Sequence, residues 1–321
     1  MFRDRRVYLV IALLSVAVVP FFLGGCSSDK EWPDRGGPKV VVSFAPLYCF
    51  AVNVAGDDAV VKNLMTSSGP HDFNPTDADA RVLRKADILF INGLDLDTQQ
   101  ATVLKRGSGN RNLRVIELGA KIPDSKLVEG VCHHENHEGH THGKDPHIWL
   151  SPDFAIIQVQ GIRDELKLLD PHHAGNYDKR AGDYIARLNK LKADGNELLK
   201  GKADRNLVSF HDSLSYFAQQ FDLKIVGTVQ SKPGVEPTTE EMKKLVQACK
   251  EKNVRLIAVE PQYTQNLAGR NVLERLKEEG IADPKLVEID PLETVTPDAL
   301  TPDWYEKKMR ANLEALKAAM K

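Results

Sequence analysis

The chain writes one β/α pattern twice, on either side of a long helical stretch that holds no strand. In the first half the apolar runs are KVVVSF (39–44), VVKNLM near Val60, DILFIN (87–92) and LRVIEL (113–118). Helical patterns separate them, first over about 45–55 and then in TDADARVLRKA. The second half repeats this with NLVSF (206–210), LKIVG (223–227), VRLIAVE (254–260) and LVEID (286–290). Its helices are TTEEMKKLVQACKEKN, which opens on a capping Thr with an acidic first turn, and the closing TPDWYEKKMRANLEALKAAMK. Short apolar runs alternating with helices build a parallel sheet covered on its faces by helices.

Between the halves, Tyr177, Ala181, Tyr184, Leu188, Leu191 and Leu198 recur at alternating steps of four and three, with one step skipped at Gly195. That is one face of a helix over residues 173–200. At 1.5 Å per residue it spans about 42 Å. Glycine is costly inside a helix, so a pair of helices broken near Gly195 is the competing reading. The expected architecture is α/β: two lobes (39–172 and 201–321), each a parallel β-sheet flanked by helices, joined by one long rigid helix.

The first 38 residues stand outside this pattern. Arg3, Arg5 and Arg6 precede a nearly unbroken apolar run that ends in Leu23-Gly24-Gly25-Cys26. A basic head, an apolar run and a small-residue cleavage site read as an export signal over residues 1–25. The LGGC end looks like a lipobox, which makes Cys26 the lipidation site and the first mature residue. A single spanning helix of about 17 residues is the alternative, at the short edge of the spanning range. Either reading places the remainder on the extracytoplasmic side, in the periplasm or on the outer face. SSDKEWPDRGGP completes a flexible tether, residues 26–38. A net charge of −2 removes the electrostatic case for nucleic acid as partner. Cys49, Cys132 and Cys249 lie far apart and odd in number, so no disulfide framework is expected; Cys49 and Cys249 read as buried thiols.

Half of the ten histidines fall in one polar stretch: His133, His134, His137, His140 and His142, within a loop over 132–145. Its composition marks an auxiliary metal-binding segment or a solvated linker. His172 and His173 follow Asp170-Pro171 at a helix start and read as surface residues. Three remain. His71 sits in SSGPHDFNPTDAD, His147 in DPHIWLSP, and His211 directly follows the strand NLVSF. Asp290 follows LVEI in the same way. Open parallel sheets bind ligands beyond the carboxyl ends of their strands, so His211 and Asp290 are delivered to the same kind of edge.

These segments resemble, in order and spacing, the zinc and manganese solute-binding proteins of bacterial ATP-driven metal transporters, the cluster 9 (A-I) family. The resemblance runs through SFAPLYCFAVNVAGD, GPHDFNPTDADARVLRKADILFINGLDLD, DPHIWLSPDFA, SFHDSLSYFAQQFDLKIVG, VEPTTEEMKKL, IAVEPQYTQNLA and VEIDPL, nearly the whole mature chain. It implies a metal site of His71, His147, His211 and Asp290, of which Asp290 is the least secure because some zinc relatives complete the shell with water. Two departures stand out. Gly69-Pro70-His71 replaces the Asp-Pro-His of many relatives, and Leu94-Asp95-Leu96-Asp97 stands where a Gly-Leu-Glu is common.

Three imidazoles and a carboxylate suit tetrahedral Zn2+, whereas Mn2+ prefers more oxygen and a higher coordination number. The resemblance points the same way, since its zinc branch carries His at the third ligand, here His211, and its manganese branch Glu. It implies a monomeric lipoprotein that hands Zn2+ to an ABC transporter permease and its ATPase; the long helix should resist a wide hinge and keep lobe closure small. The histidine-rich loop would collect zinc or sense its abundance. Proton competition should weaken binding below about pH 6. The alternatives are a manganese or iron receptor of the same family, a metal-binding adhesin or storage lipoprotein, and a zinc metallohydrolase. A hydrolase would need an open coordination position and a base; Glu236 and Glu260 read instead as loop and strand-end residues shaping the cleft. No catalytic residue is assigned.

Overall fold

The computed structural model describes residues 32–34, 36–130, 143–230, 235–262 and 267–321. The export signal, Cys26, most of the tether, Cys132 and the histidines from His133 to His142 lie outside the described residues.

All eight expected strands form. β1 (Lys39–Val42), α1 (Ala45–Ala55), β2 (Val60–Asn63), α2 (Asp77–Leu83), β3 (Ile88–Ile91), α3 (Thr98–Ser108) and β4 (Arg114–Glu117) make the first half. α4 (Pro152–Leu169) and α5 (Ala174–Leu198) follow. The second half is β5 (Asn206–Ser209), α6 (Ser215–Gln220), β6 (Lys224–Thr228), α7 (Thr239–Glu251), β7 (Leu256–Val259), α8 (Leu267–Glu278), β8 (Lys285–Glu288) and α9 (Trp304–Ala319). Each half is a four-stranded parallel sheet, ordered β2-β1-β3-β4 and β6-β5-β7-β8. The halves therefore share one topology, and the order reverses beside β1 in one and β5 in the other. The central β3 (ILFI) and β7 (LIAV) are buried at every residue, which is why they read as unbroken apolar runs and not as alternating ones.

Capping boxes open α2 and α7. Thr76 and Asp79, then Thr238 and Glu241, each satisfy the other's backbone N–H. α5 is one continuous helix of 25 residues, started by a 3-10 turn at Pro171–His173. Its buried face runs Tyr177, Ala181, Tyr184, Leu188, Leu191, Gly195. The step that the hydrophobic pattern skipped is thus occupied by glycine for lack of room: a Cβ there would meet Phe221 Cε1 at 2.6 Å and Leu313 Cδ1 at 2.8 Å. α5 packs on α4, α1 and α9, so it is enclosed on several sides. Residues 32–321 form one compact unit, and one apolar cluster runs from Val40, Phe44 and Phe50 through Tyr184 and Leu188 to Leu207, Phe221 and Leu313. Cys49 and Cys249 are free and buried in separate clusters.

Candidate metal centre

Four segments beyond strand ends meet at one point. His71 follows β2, His147 lies in the long connection after β4, His211 comes two residues after β5, and Glu293 follows β8. The structure brings together all three sequence-predicted histidines, but their carboxylate partner is Glu293 and not Asp290.

The reason lies in the turn after β8. Asp290 Oδ1 accepts the backbone N–H of Leu292 at 2.8 Å, and Leu292 sits at φ 62°. Asp290 Oδ2 pairs with Lys308 Nζ at 2.7 Å. Its backbone is held from both sides by Asn312 of α9. The Asp290 carboxylate is thus consumed as a turn former, a common use of Asp, and the reversal it builds aims Glu293 into the site. The sequence offers both carboxylates, Asp290 and Glu293 three residues on, but does not mark which of them turns inward.

Glu293 Oε1 lies 3.4 Å from Nε2 of each of His71, His147 and His211. His147 Nε2 is 3.3 Å from that of His71 and 3.4 Å from that of His211. A regular tetrahedron of that edge has its centre about 2.1 Å from every vertex, within the roughly 2.0–2.2 Å range of Zn–N and Zn–O bonds. Glu293 Oε1 is buried, and the polar atoms facing it are the three imidazole nitrogens at 3.4 Å. A desolvated carboxylate oxygen facing three imidazole nitrogens calls for a cation or for protons among them.

Two of the imidazoles are oriented from behind. Asp145 Oδ1 accepts both the backbone N–H and the Nδ1–H of His147, at 2.9 and 2.8 Å. Glu260, at the end of β7, accepts Nδ1–H of His211 at 2.5 Å and is itself held by Gln262 Nε2 at 2.8 Å. A carboxylate on Nδ1 fixes the tautomer that leaves the Nε2 lone pair free for metal. The sequence named Glu260 only as a cleft-shaping residue and did not single out Asp145. Asp145 is in turn anchored by Tyr216 of α6, whose hydroxyl donates to its carbonyl at 2.9 Å. Asn92 Nδ2, just past β3, donates to the Pro146 carbonyl at 2.9 Å. Glu236 is exposed, lies against Gln230 and is not one of the four clustered donors.

Burial alone would strip the buried imidazoles of their protons. For His147 the hydrogen bonds to Asp145 and Glu293 reverse this and push the ring up to about 9. For His211 the charge of Glu260, then its hydrogen bond and Glu293, push it up to about 10. Burial would raise Glu293, yet the hydrogen bonds of His147, His211 and His71 hold it well below the usual carboxylate range. Each buried imidazole and the Glu293 carboxylate thus favour each other's charged form. His71 differs: its side chain is 27% exposed, against 4% for His147 and 3% for His211.

The other sequence-singled residues stand apart. His173 donates to Asp170 on the surface, 2.7 Å away, and His172 is exposed in the same turn. Lys144 bridges back to Glu129, closing the base of the segment that holds the histidine-rich stretch. Leu94 and Asp95 take left-handed backbone conformations after β3, and buried Asp97 closes that turn by accepting the N–H groups of Asn92 and Gly93, both at 2.9 Å.

A family model described as "Zinc-uptake complex component A periplasmic" matches residues 40–319. The chain is 29% identical to the "Zinc-binding protein AdcA" of Streptococcus pyogenes over 98% of its own length and 61% of that protein's, so it spans about three-fifths of that relative. It is 29% identical to the "High-affinity zinc uptake system protein ZnuA" of Bacillus subtilis, with 92% of each chain covered. Among solved structures it is similar to the laminin-binding adhesin Lmb of Streptococcus agalactiae, at TM-score 0.74 and 26% identity over 89% of this chain and all of that one.

Proposed function

The chain belongs to the zinc-uptake complex component A family, and from that membership we propose that it is an extracytoplasmic receptor that captures Zn2+ on His71, His147, His211 and Glu293. It releases the ion to an ABC-type permease driven by its ATPase, while a lipid on Cys26 keeps it at the membrane. The observation that carries this reading is the spacing of the four donors, which encloses a point at zinc-ligand distance from each.

Four protein donors leave no coordination position for an activated water, and Asp145 and Glu260 are occupied by the imidazoles behind them. This supports a carrier over a hydrolase. Three nitrogens to one oxygen also favour zinc over manganese.

Competition titration and elemental analysis of wild type against His211→Ala test the proposal. Wild type should take up one tightly held Zn2+ per chain in preference to Mn2+, and His211→Ala should lose it. Stoichiometric uptake that survives in His211→Ala would refute the site. A deletion strain that grows normally under zinc limitation would remove the transport role.

A further inference from the structure

Trp149 is fully buried in the 3-10 turn Ile148–Leu150, two residues beyond His147. Its indole N–H crosses to the other half of the molecule and donates to the Pro291 carbonyl at 2.8 Å. Pro291 belongs to the Asp290–Glu293 reversal that aims the carboxylate. The ring packs edge-on against Phe44 at the end of β1, with centroids 4.7 Å apart, and lies 5.1 Å from the His147 imidazole. The Trp149 carbonyl accepts the hydroxyl of Tyr305 from α9 at 2.7 Å. One side chain thus touches the His147 ring, the turn that carries Glu293 and the apolar core that both halves share.

We infer that Trp149 is a positioning residue: a strut between the two halves that fixes the His147-to-Glu293 separation and with it the tetrahedral shape of the cage. The inference rests on the zinc-receptor reading. A single hydrogen bond at 2.8 Å is short enough to transmit position, and the burial of both partners keeps water from replacing it. The donor separations that His147 and Glu293 make within the cage are 3.3–3.4 Å, so a shift of a few tenths of an ångström between the two turns would distort the cage before any ligand is lost.

The experiment compares the full chain as wild type, Trp149→Phe and Val272→Ala. Val272 is buried in the separate cluster of the second half and controls for lost stability alone. Each protein is loaded with Co2+ as a spectroscopic stand-in and its visible d–d band recorded; zinc affinity is read by chelator competition, and folding by thermal melt. Trp149→Phe should fold, weaken zinc binding about tenfold and show a weaker, shifted tetrahedral Co2+ band. Val272→Ala should lower the melting midpoint but keep the wild-type affinity and spectrum. A wild-type band and affinity in Trp149→Phe would overturn the strut. So would equal changes in Val272→Ala, which would reduce the effect to general destabilisation. If Trp149→Phe fails to fold, 3-benzothienylalanine at position 149, which keeps the bicyclic ring but lacks the N–H donor, takes its place with the same two readouts: a wild-type band and affinity overturn the strut, a changed pair supports it. Absence of stoichiometric metal in wild type would instead defeat the receptor reading.

Discussion

At the scale of single residues, the four donors would hold protons wherever zinc does not occupy them. His147 is held up to about 9 and His211 up to about 10, above the usual histidine value near 6.5. Groups raised on folding add stability below their unfolded value and lose it as pH climbs through the folded one. Glu293 is shifted the opposite way, so its contribution exists above the usual carboxylate range and fades only in strong acid. The metal-free ion-pair set thus persists from acid to about pH 9. Zinc must displace the protons of both buried rings, so binding near pH 7 should release about two per ion. Affinity should then keep rising towards pH 9 and not level off just above pH 6, the limit that unperturbed histidines would set. Calorimetry of zinc binding in buffers of different ionisation enthalpy reads the proton count; a count near zero at pH 7 contradicts the paired cage. The two carboxylates of the Asp290–Glu293 turn separate in the same assay. Glu293→Gln removes the charged donor and should weaken zinc by about 100-fold or more. Asp290→Asn keeps the oxygen that accepts Leu292 N–H and loses only the pair with half-exposed Lys308, so it should cost about threefold at most. Equal losses would return Asp290 to the ligand set.

At the scale of elements, strands and helices were legible where burial is uniform and lost where geometry depends on one turn. β3 and β7 are covered on both faces, so an apolar run marks them without ambiguity. The three histidines were legible because each follows a strand end or a proline. Glu293 was not, because the left-handed Leu292 decides which of two nearby carboxylates faces inward, and nothing in local composition encodes that direction. Gly195 shows the same limit from the other side. Propensity marks it as a weak point in α5, while packing makes it a fit. A methyl group there would gain about 1 kcal/mol in helix propensity and lose about 1–3 kcal/mol by overpacking. The Phe221 ring edge at 2.6 Å, itself packed against Phe217, has little room to yield. Gly195→Ala should therefore lower the urea midpoint, by about 1 kcal/mol of stability, with zinc affinity unchanged. A rise in the midpoint would show that the close approach is relieved at no cost.

At the scale of the whole molecule, the question is how a site built from both halves admits its ion. A wide hinge needs a few free residues between two independent cores. Here α5 is enclosed by α4, α1 and α9, and the apolar cluster passes from one sheet to the other. The connection after β8 is tied across as well: Asn53 Nδ2 donates to the Pro302 carbonyl at 2.8 Å, and Val295 N–H to the Thr66 carbonyl at 3.0 Å. Opening the halves would expose part of that core and break these bonds together. The His71 turn is the freer part of the cage. Its histidine is the most exposed of the four donors, and no carboxylate holds its Nδ1 among the described residues. Zinc should therefore enter past His71 and be locked by it, with His147, His211 and Glu293 nearly in place beforehand. Hydrogen exchange with and without zinc tests this directly. Protection should rise at residues 69–73 and change little along α5. Small-angle scattering should give a radius of gyration that shifts by less than about 1 Å, and metal-free protein should melt in one cooperative transition, because a shared core cannot unfold by halves. A compaction of several ångströms on loading, or two separate melting steps, would mean that the two sheets move as independent bodies and that the cage is assembled by closure.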